Sequence, residues 1–282
     1  MRVVYSDVCF YSTNINHENL IKCLEMHIKD TNLLRLIKRF LKAGIIEGME
    51  YHEGEIGTPQ GSILSPILAN IYMYYCIALW FERTVKRNFK GYCSITVYAD
   101  DFICCFQYKN EAQVFYEKLL PERLEKGKLE LANDKTRLIE FGRFAEENCK
   151  RGKPETFDFL GFTHYCSKSK SGKFRVKRKT SKKKFKAKVQ EFKIWIKNSR
   201  EEKLEAIMVT IKRKLNGHYN YYGITDNFKM ISNYAYCIRQ LTMKWLNRRS
   251  QKRSYDSKGF NQMLDYFQLP LPRIKVNIYV KS

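Results

Sequence analysis

Two adjacent carboxylates stand in Tyr98-Ala99-Asp100-Asp101, between apolar runs at 94–97 and 102–106 whose β-branched and aromatic content reads as a strand on either side. An acidic pair at a hairpin tip is electrostatically costly unless a cation sits between the charges. A divalent metal is the natural occupant. Two such hard cations on carboxylate oxygens suit nucleotidyl transfer, one activating the attacking hydroxyl and the other stabilising the leaving phosphate. An isolated Asp-Asp pair is also an ordinary polar turn, and the tetrapeptide by itself leaves both readings open.

The elements around that turn follow from periodicity. Residues 3–10 form a short β-prone run around Asp7, and 16–43 carry apolar residues at helical spacing, in two helices broken near 30–32. Gly57-Thr58-Pro59-Gln60-Gly61-Ser62 is turn chemistry leading into an apolar helix. Beyond the hairpin, 110–124 is helical, 135–141 is a strand and 157–162 opens a second hairpin. The first half is therefore α+β, antiparallel strands backed by helices. Spacing predicts three helices at 185–198, 203–216 and 231–247, which make a small bundle. The domain boundary falls near 167–180, within a basic stretch, and divides the chain into 1–170 and 171–282.

Charge divides the chain more sharply than structure does. The 282 residues carry a formal +23. Residues 1–149 hold 19 basic and 20 acidic side chains, and 150–282 hold 33 and 9, so the excess lies in the second half. Between 168 and 188 stand twelve Lys or Arg and no acid. A one-sided basic field favours a polyanion, because each phosphate it neutralises releases condensed counterions. Nucleic acid is the expected partner. An anionic membrane is not, since the basic stretch lacks an amphipathic lipid face, and the apolar run 63–81 contains Ser65, Pro66 and Asn70 and reads as a core helix. Nine cysteines with no C-x-x-C pair argue against a disulfide framework and a zinc ribbon and point to a reducing cytoplasm.

Several motifs share one resemblance. The segment from Gly57 to Tyr72, GTPQGSILSPILANIY, matches almost letter for letter a loop and helix of group II intron reverse transcriptases. Tyr98-Ala99-Asp100-Asp101 resembles their active-site turn, and Asp7 with the following VCFYSTNINHE resembles the strand that carries their third carboxylate. The stretch LELANDKTRLIEF at 129–141 resembles their next palm motif. The basic run from Arg175, followed by NGHYNYYG at 216–223, resembles their thumb, or maturase-specific X domain.

The resemblance implies a polymerase palm at 1–170 and an all-α thumb at 171–282. It implies an RNA-directed DNA polymerase and splicing maturase in which Asp7, Asp100 and Asp101, with the Val8 carbonyl, hold two Mg2+ that Mn2+ can replace. Tyr11, Gln60, Gly61, Ala99 and Lys135 would face nucleotide or template. Lys177, Arg178, Lys182, Lys183, Lys184 and Lys186 would bind intron RNA, with an RNA template, a DNA primer and dNTP as the other partners. Two departures bear on activity. The chain begins six residues before Asp7, so the family's fingers are expected to be absent and dNTP binding weak, and Cys9, Phe10 and Thr13 replace the family's Lys, Gly and Asp. An RNA-binding maturase fragment that does not polymerise is the alternative.

Overall fold

In a computed structural model, residues 2–9, 15–42, 45–47, 50–52, 64–132, 135–149, 152–169, 171–249 and 254–279 are described, the side chains of 5–9, 45–47 and 50–52 excepted. The chain forms two compact units, Met1–Glu155 and Thr156–Ser282. The first carries β1 (Arg2–Cys9), α1 (His17–Glu25), α2 (Thr31–Lys42) and the small hairpin β2 (Ile45–Glu47) and β3 (Glu50–His52). A long helix α3 (65–88), β4 (Cys93–Tyr98), β5 (Asp101–Phe106), helix α4 (109–126), β6 (Glu130–Leu131), β7 (Arg137–Glu140) and the short α5 (Ala145–Asn148) follow. The sheet order is β4-β5-β1-β6, with β7 also pairing β1, and every pairing is antiparallel. This is the α+β layer that the alternation of strand and helix signals predicts.

Alternation along β5 decides which face meets the helices. Phe102, Cys104 and Phe106 are fully buried, and Phe106 packs on Phe81 of α3 and Phe115 of α4. Asp101, Ile103 and Cys105 therefore fall on the other face. Helix α3 widens over Tyr74–Ala78, and Arg123 of α4 satisfies the loosened turn by donating to the Cys76 and Tyr75 carbonyls at 2.7 and 3.0 Å. The Tyr72 hydroxyl donates to the Gly127 carbonyl at 2.6 Å and closes the same interface. No helix among the described residues is long and apolar enough to cross a membrane.

The second unit begins with a three-stranded sheet, β8 (Phe157–Phe159), β9 (Phe162–Lys168) and β10 (Phe174–Thr180) in the order β10-β9-β8, before α6 (Lys182–Asn198), α7 (Leu204–Tyr222), α8 (Phe228–Leu246) and α9 (Ser257–Tyr266). Leu160 and Gly161 both take positive φ, 49° and 78°, as the two-residue loop between β8 and β9 demands. Phe162 stacks on Tyr221 and meets Tyr222 edge-on, so this hairpin belongs to the helical unit. At the buried junction of β10 and α6, Asn227 accepts from the Thr180 N–H at 2.8 Å and donates to the Thr180 hydroxyl and the Tyr222 carbonyl.

Two sequence expectations change here. Helix α7 runs to Tyr222 rather than stopping at 216, because His218, Tyr219 and Tyr222 continue its buried face through Gly217. Helix α9 was not foreseen, although Asp256 caps it and Phe260 and Met263 bury at helical spacing.

Candidate active site and basic surface

The two carboxylates of the 98–101 turn sit at the open end of the central strands. Tyr98 pairs with Asp101, which makes Ala99-Asp100 a two-residue hairpin loop. Such loops need positive φ at the first position to match the strand twist, and Ala99 supplies it at 51°. An L-residue in that region is strained by about 1–2 kcal/mol, where glycine would not be. The strain is held at the point where Asp100 and Asp101 must both project from one short turn, and both are partly exposed.

Strand β1 brings in the third aspartate. Its register against β5 runs from Arg2 opposite Phe106 to Asp7 opposite Asp101. Directly opposed residues of an antiparallel pair share a face and have Cβ atoms about 5 Å apart. Asp7 and Asp101, ninety-four positions apart in the chain, are thus paired across β1 and β5 at this end of the sheet. On the other edge of β1, β7 pairs residues 2–5 and β6 pairs residues 8–9. The turn joining β6 to β7 lies level with Asp7 and carries Lys135, exposed, with its N–H bonded to the Ala132 carbonyl at 2.9 Å. Val8 pairs with Leu131.

One end of the sheet therefore gathers Asp7, Val8, Asp100, Asp101, Ala99 and Lys135. The backbone register thus brings three aspartate positions to this end, and carboxylate oxygens are the donors that divalent cations take. A cleft of about 580 Å3 adjoins the turn, lined by Asn70, Met73 and Tyr74 of α3 and by Val97, Tyr98 and Ala99. Tyr11, Gln60 and Gly61 lie outside the described residues.

The basic residues lie in the second unit. The β10 register sets Lys177 opposite Tyr165 and Arg178 opposite His164. The Arg178 guanidinium donates to Nε2 of His164 at 3.1 Å, so its charge is engaged within the sheet. Burial and that guanidinium hold His164 down at about 4, neutral and able to accept the bond. Lys182, Lys183, Lys184 and Lys186 are all exposed on the first turns of α6, which Ser181 caps by accepting the Lys184 N–H. Of the three tyrosines of 216–223, Tyr219 and Tyr222 are core and Tyr221 is 54% exposed.

Sequence reasoning missed His218. It is buried against Tyr234, with ring centroids 3.7 Å apart, and burial pushes it down to about 4. Its position four residues before Tyr222 on an apolar stripe was the available signal.

Comparison with known families accords with this arrangement. A model described as reverse transcriptase (RNA-dependent DNA polymerase) matches residues 8–164, and one described as group II intron, maturase-specific domain matches 182–263. The chain belongs to the reverse transcriptase family, in its group II intron-encoded branch. It is 52% identical over 66 residues to the group II intron-encoded protein LtrA of Lactococcus lactis, a match covering 23% of this chain and 11% of that protein. It is 39% identical over 84 residues to a putative COX1/OXI3 intron 1 protein of Saccharomyces cerevisiae, covering 29% and 10%. The matched stretches thus span about a tenth of the relatives' length. Among solved structures, the apo telomerase of Candida tropicalis aligns over 94% of this chain and 48% of its own, at 12% identity and a TM-score of 0.48.

Proposed function

We propose that this chain is a two-metal RNA-directed DNA polymerase joined to an RNA-binding maturase domain. The observation that carries the reading is the register that sets Asp7 against Asp101, beside Asp100. Asp7, Asp100 and Asp101 would hold Mg2+, or Mn2+ in its place, which when bound supplies Lewis-acid activation of a primer 3′ hydroxyl and neutralises charge on the departing pyrophosphate. The chain's own residues do the positioning. The two-residue loop fixes the carboxylates by backbone geometry, and the Ala99 backbone, next to the cleft, is the surface against which a nucleotide would lie. Lys135, exposed in the turn beyond the pairing of Val8 with Leu131, would meet primer or nucleotide phosphate.

The second unit carries 30 Lys and Arg against 8 Asp and Glu, a net +22, and supports intron RNA as its partner. Replacement of the family's Lys, Gly and Asp by Cys9, Phe10 and Thr13 favours a second reading, RNA binding without polymerisation. Primer extension on an RNA template separates them. The polymerase reading expects extension that requires Mg2+ or Mn2+ and disappears in the Asp100→Ala/Asp101→Ala double variant. Extension that survives in that variant would rule out this active site, and tight RNA binding with no extension by the wild type would leave the second reading.

A further inference from the structure

The helices of the second unit and the strap at 268–272 line an open pocket of about 480 Å3, a volume in the range that holds small ligands. Its wall includes Tyr219 of α7 and Ala235 and Ile238 of α8. Tyr219 is only 1% exposed, and its hydroxyl has no hydrogen-bond partner among the described residues. A buried hydroxyl left unpaired is a standing cost to the fold. A ligand's polar edge would remove it once the side chains that close over the hydroxyl give way.

The rest of the lining says what kind of ligand. Arg239, Asp265 and Gln268 are the other polar groups of the pocket, and the Arg239 guanidinium is fixed there by donating to the Asn261 side chain. Gln268, at a φ of 47°, ends the 257–266 helix as its left-handed C-terminal cap and turns the chain into the strap. Tyr236 and Leu271 also line it and are 64% and 81% exposed, large apolar groups left in water. Arg273 and Lys275, both exposed, follow the strap directly. A flat ligand with a hydrogen-bonding edge, attached to a polyanion, fits all of these features. The surplus of 22 positive charges in this unit favours that over a protein segment.

We propose that the pocket receives one unpaired, amino-bearing RNA base, turned out of its strand, with its face against the apolar walls and its edge toward Asp265 and the Tyr219 hydroxyl. Carboxylates accept from exocyclic amines of bases, and aromatic walls stack any base. The proposal rests on the RNA-binding reading of this unit and deepens it.

The test uses the full chain and two RNA oligomers of equal length and phosphate count. One is wholly abasic, and the other carries a single central cytosine. The cytosine should tighten binding by about tenfold, a typical worth for one stacked base. Ala235→Trp, which fills the pocket, should abolish that increment while the abasic affinity and the salt dependence stay as they were. Tyr219→Phe removes only the unpaired hydroxyl, so it should keep or raise the melting temperature and still reduce the increment. No increment in the wild type, with both oligomers bound, would overturn the proposal and assign the pocket to a protein partner. An increment unchanged in both variants would place the base elsewhere and overturn it as well. Binding of neither oligomer would refute the RNA reading itself.

Discussion

Lys182, Lys183 and Lys184 occupy the first turn of α6, behind a Ser181 cap, with no acidic residue beside them. That is the wrong end of a helix for cations. The N-terminal N–H groups carry about half a positive charge, and an ill-placed charge there costs roughly 0.3–1 kcal/mol. Three lysines in one turn then cost about 1–2 kcal/mol, a burden that a bound phosphate would convert into attraction. Replacing all three with Gln leaves helix propensity almost unchanged and keeps the Ser181 cap, whose acceptor bond is to backbone. The variant should therefore be more stable, its second unit melting roughly 5 °C higher at low salt. It should also bind RNA worse. Each phosphate contact contributes about 0.7 to the slope of log affinity against log salt for a single strand, so losing three flattens the slope by about 2. Scanning calorimetry and filter binding across a potassium chloride series measure the two effects. A variant that melts lower, or that binds with an unchanged slope, would refute the reasoning that these lysines are kept for phosphate against the interest of the fold.

Two further outcomes follow from buried polar groups of the second unit. Asn227→Ala removes three hydrogen bonds and leaves the Thr180 N–H and the Tyr222 carbonyl without Asn227 as partner; urea unfolding should show a loss of about 3 kcal/mol. His218 is held at about 4 by burial, against an ordinary 6.5, so the unfolded chain takes up its proton first as pH falls. The stability its neutral form confers is present above pH 6.5 and drains away down to about pH 4. At about 1.36 kcal/mol per unit the loss is roughly 3 kcal/mol. His164 of the same unit is held at about 4 as well, so His218→Phe should remove about half of the fall over that range in a denaturation profile followed by Trp195 and Trp245 fluorescence, and an unaltered profile would show that His218 does not contribute.

The hairpin at 93–106 was legible because both of its signals are local: β-prone residues on each side and a tip only two residues long. The register of β1 was not. It depends on how 93 intervening residues pack, and nothing in the local sequence around Asp7 specifies Asp101 as its partner. Local signals also misled. Asn216-Gly217 reads as a helix stop, yet the burial of Tyr219 and Tyr222 carries α7 past it. The hairpin at 157–168 looks in sequence like a continuation of the first half, and only the contacts of Phe162 with Tyr221 and Tyr222 show that it packs with the helices. For the basic residues, counting located the patch, but pairing sorts its members. Arg178 is tied to His164, while Lys182, Lys183 and Lys184 face solvent.

The central claim is that two distant strands build one cation site. Titration of Mn2+ into the full chain, followed by the electron paramagnetic resonance of the unbound ion, tests it most directly. If Asp7 and Asp101 share the site, Asp7→Asn and Asp101→Asn should each weaken Mn2+ binding to a similar degree, and the double variant should do little more than either single one. Full Mn2+ binding by Asp7→Asn would show that the 98–101 turn binds metal without β1, and would contradict the account.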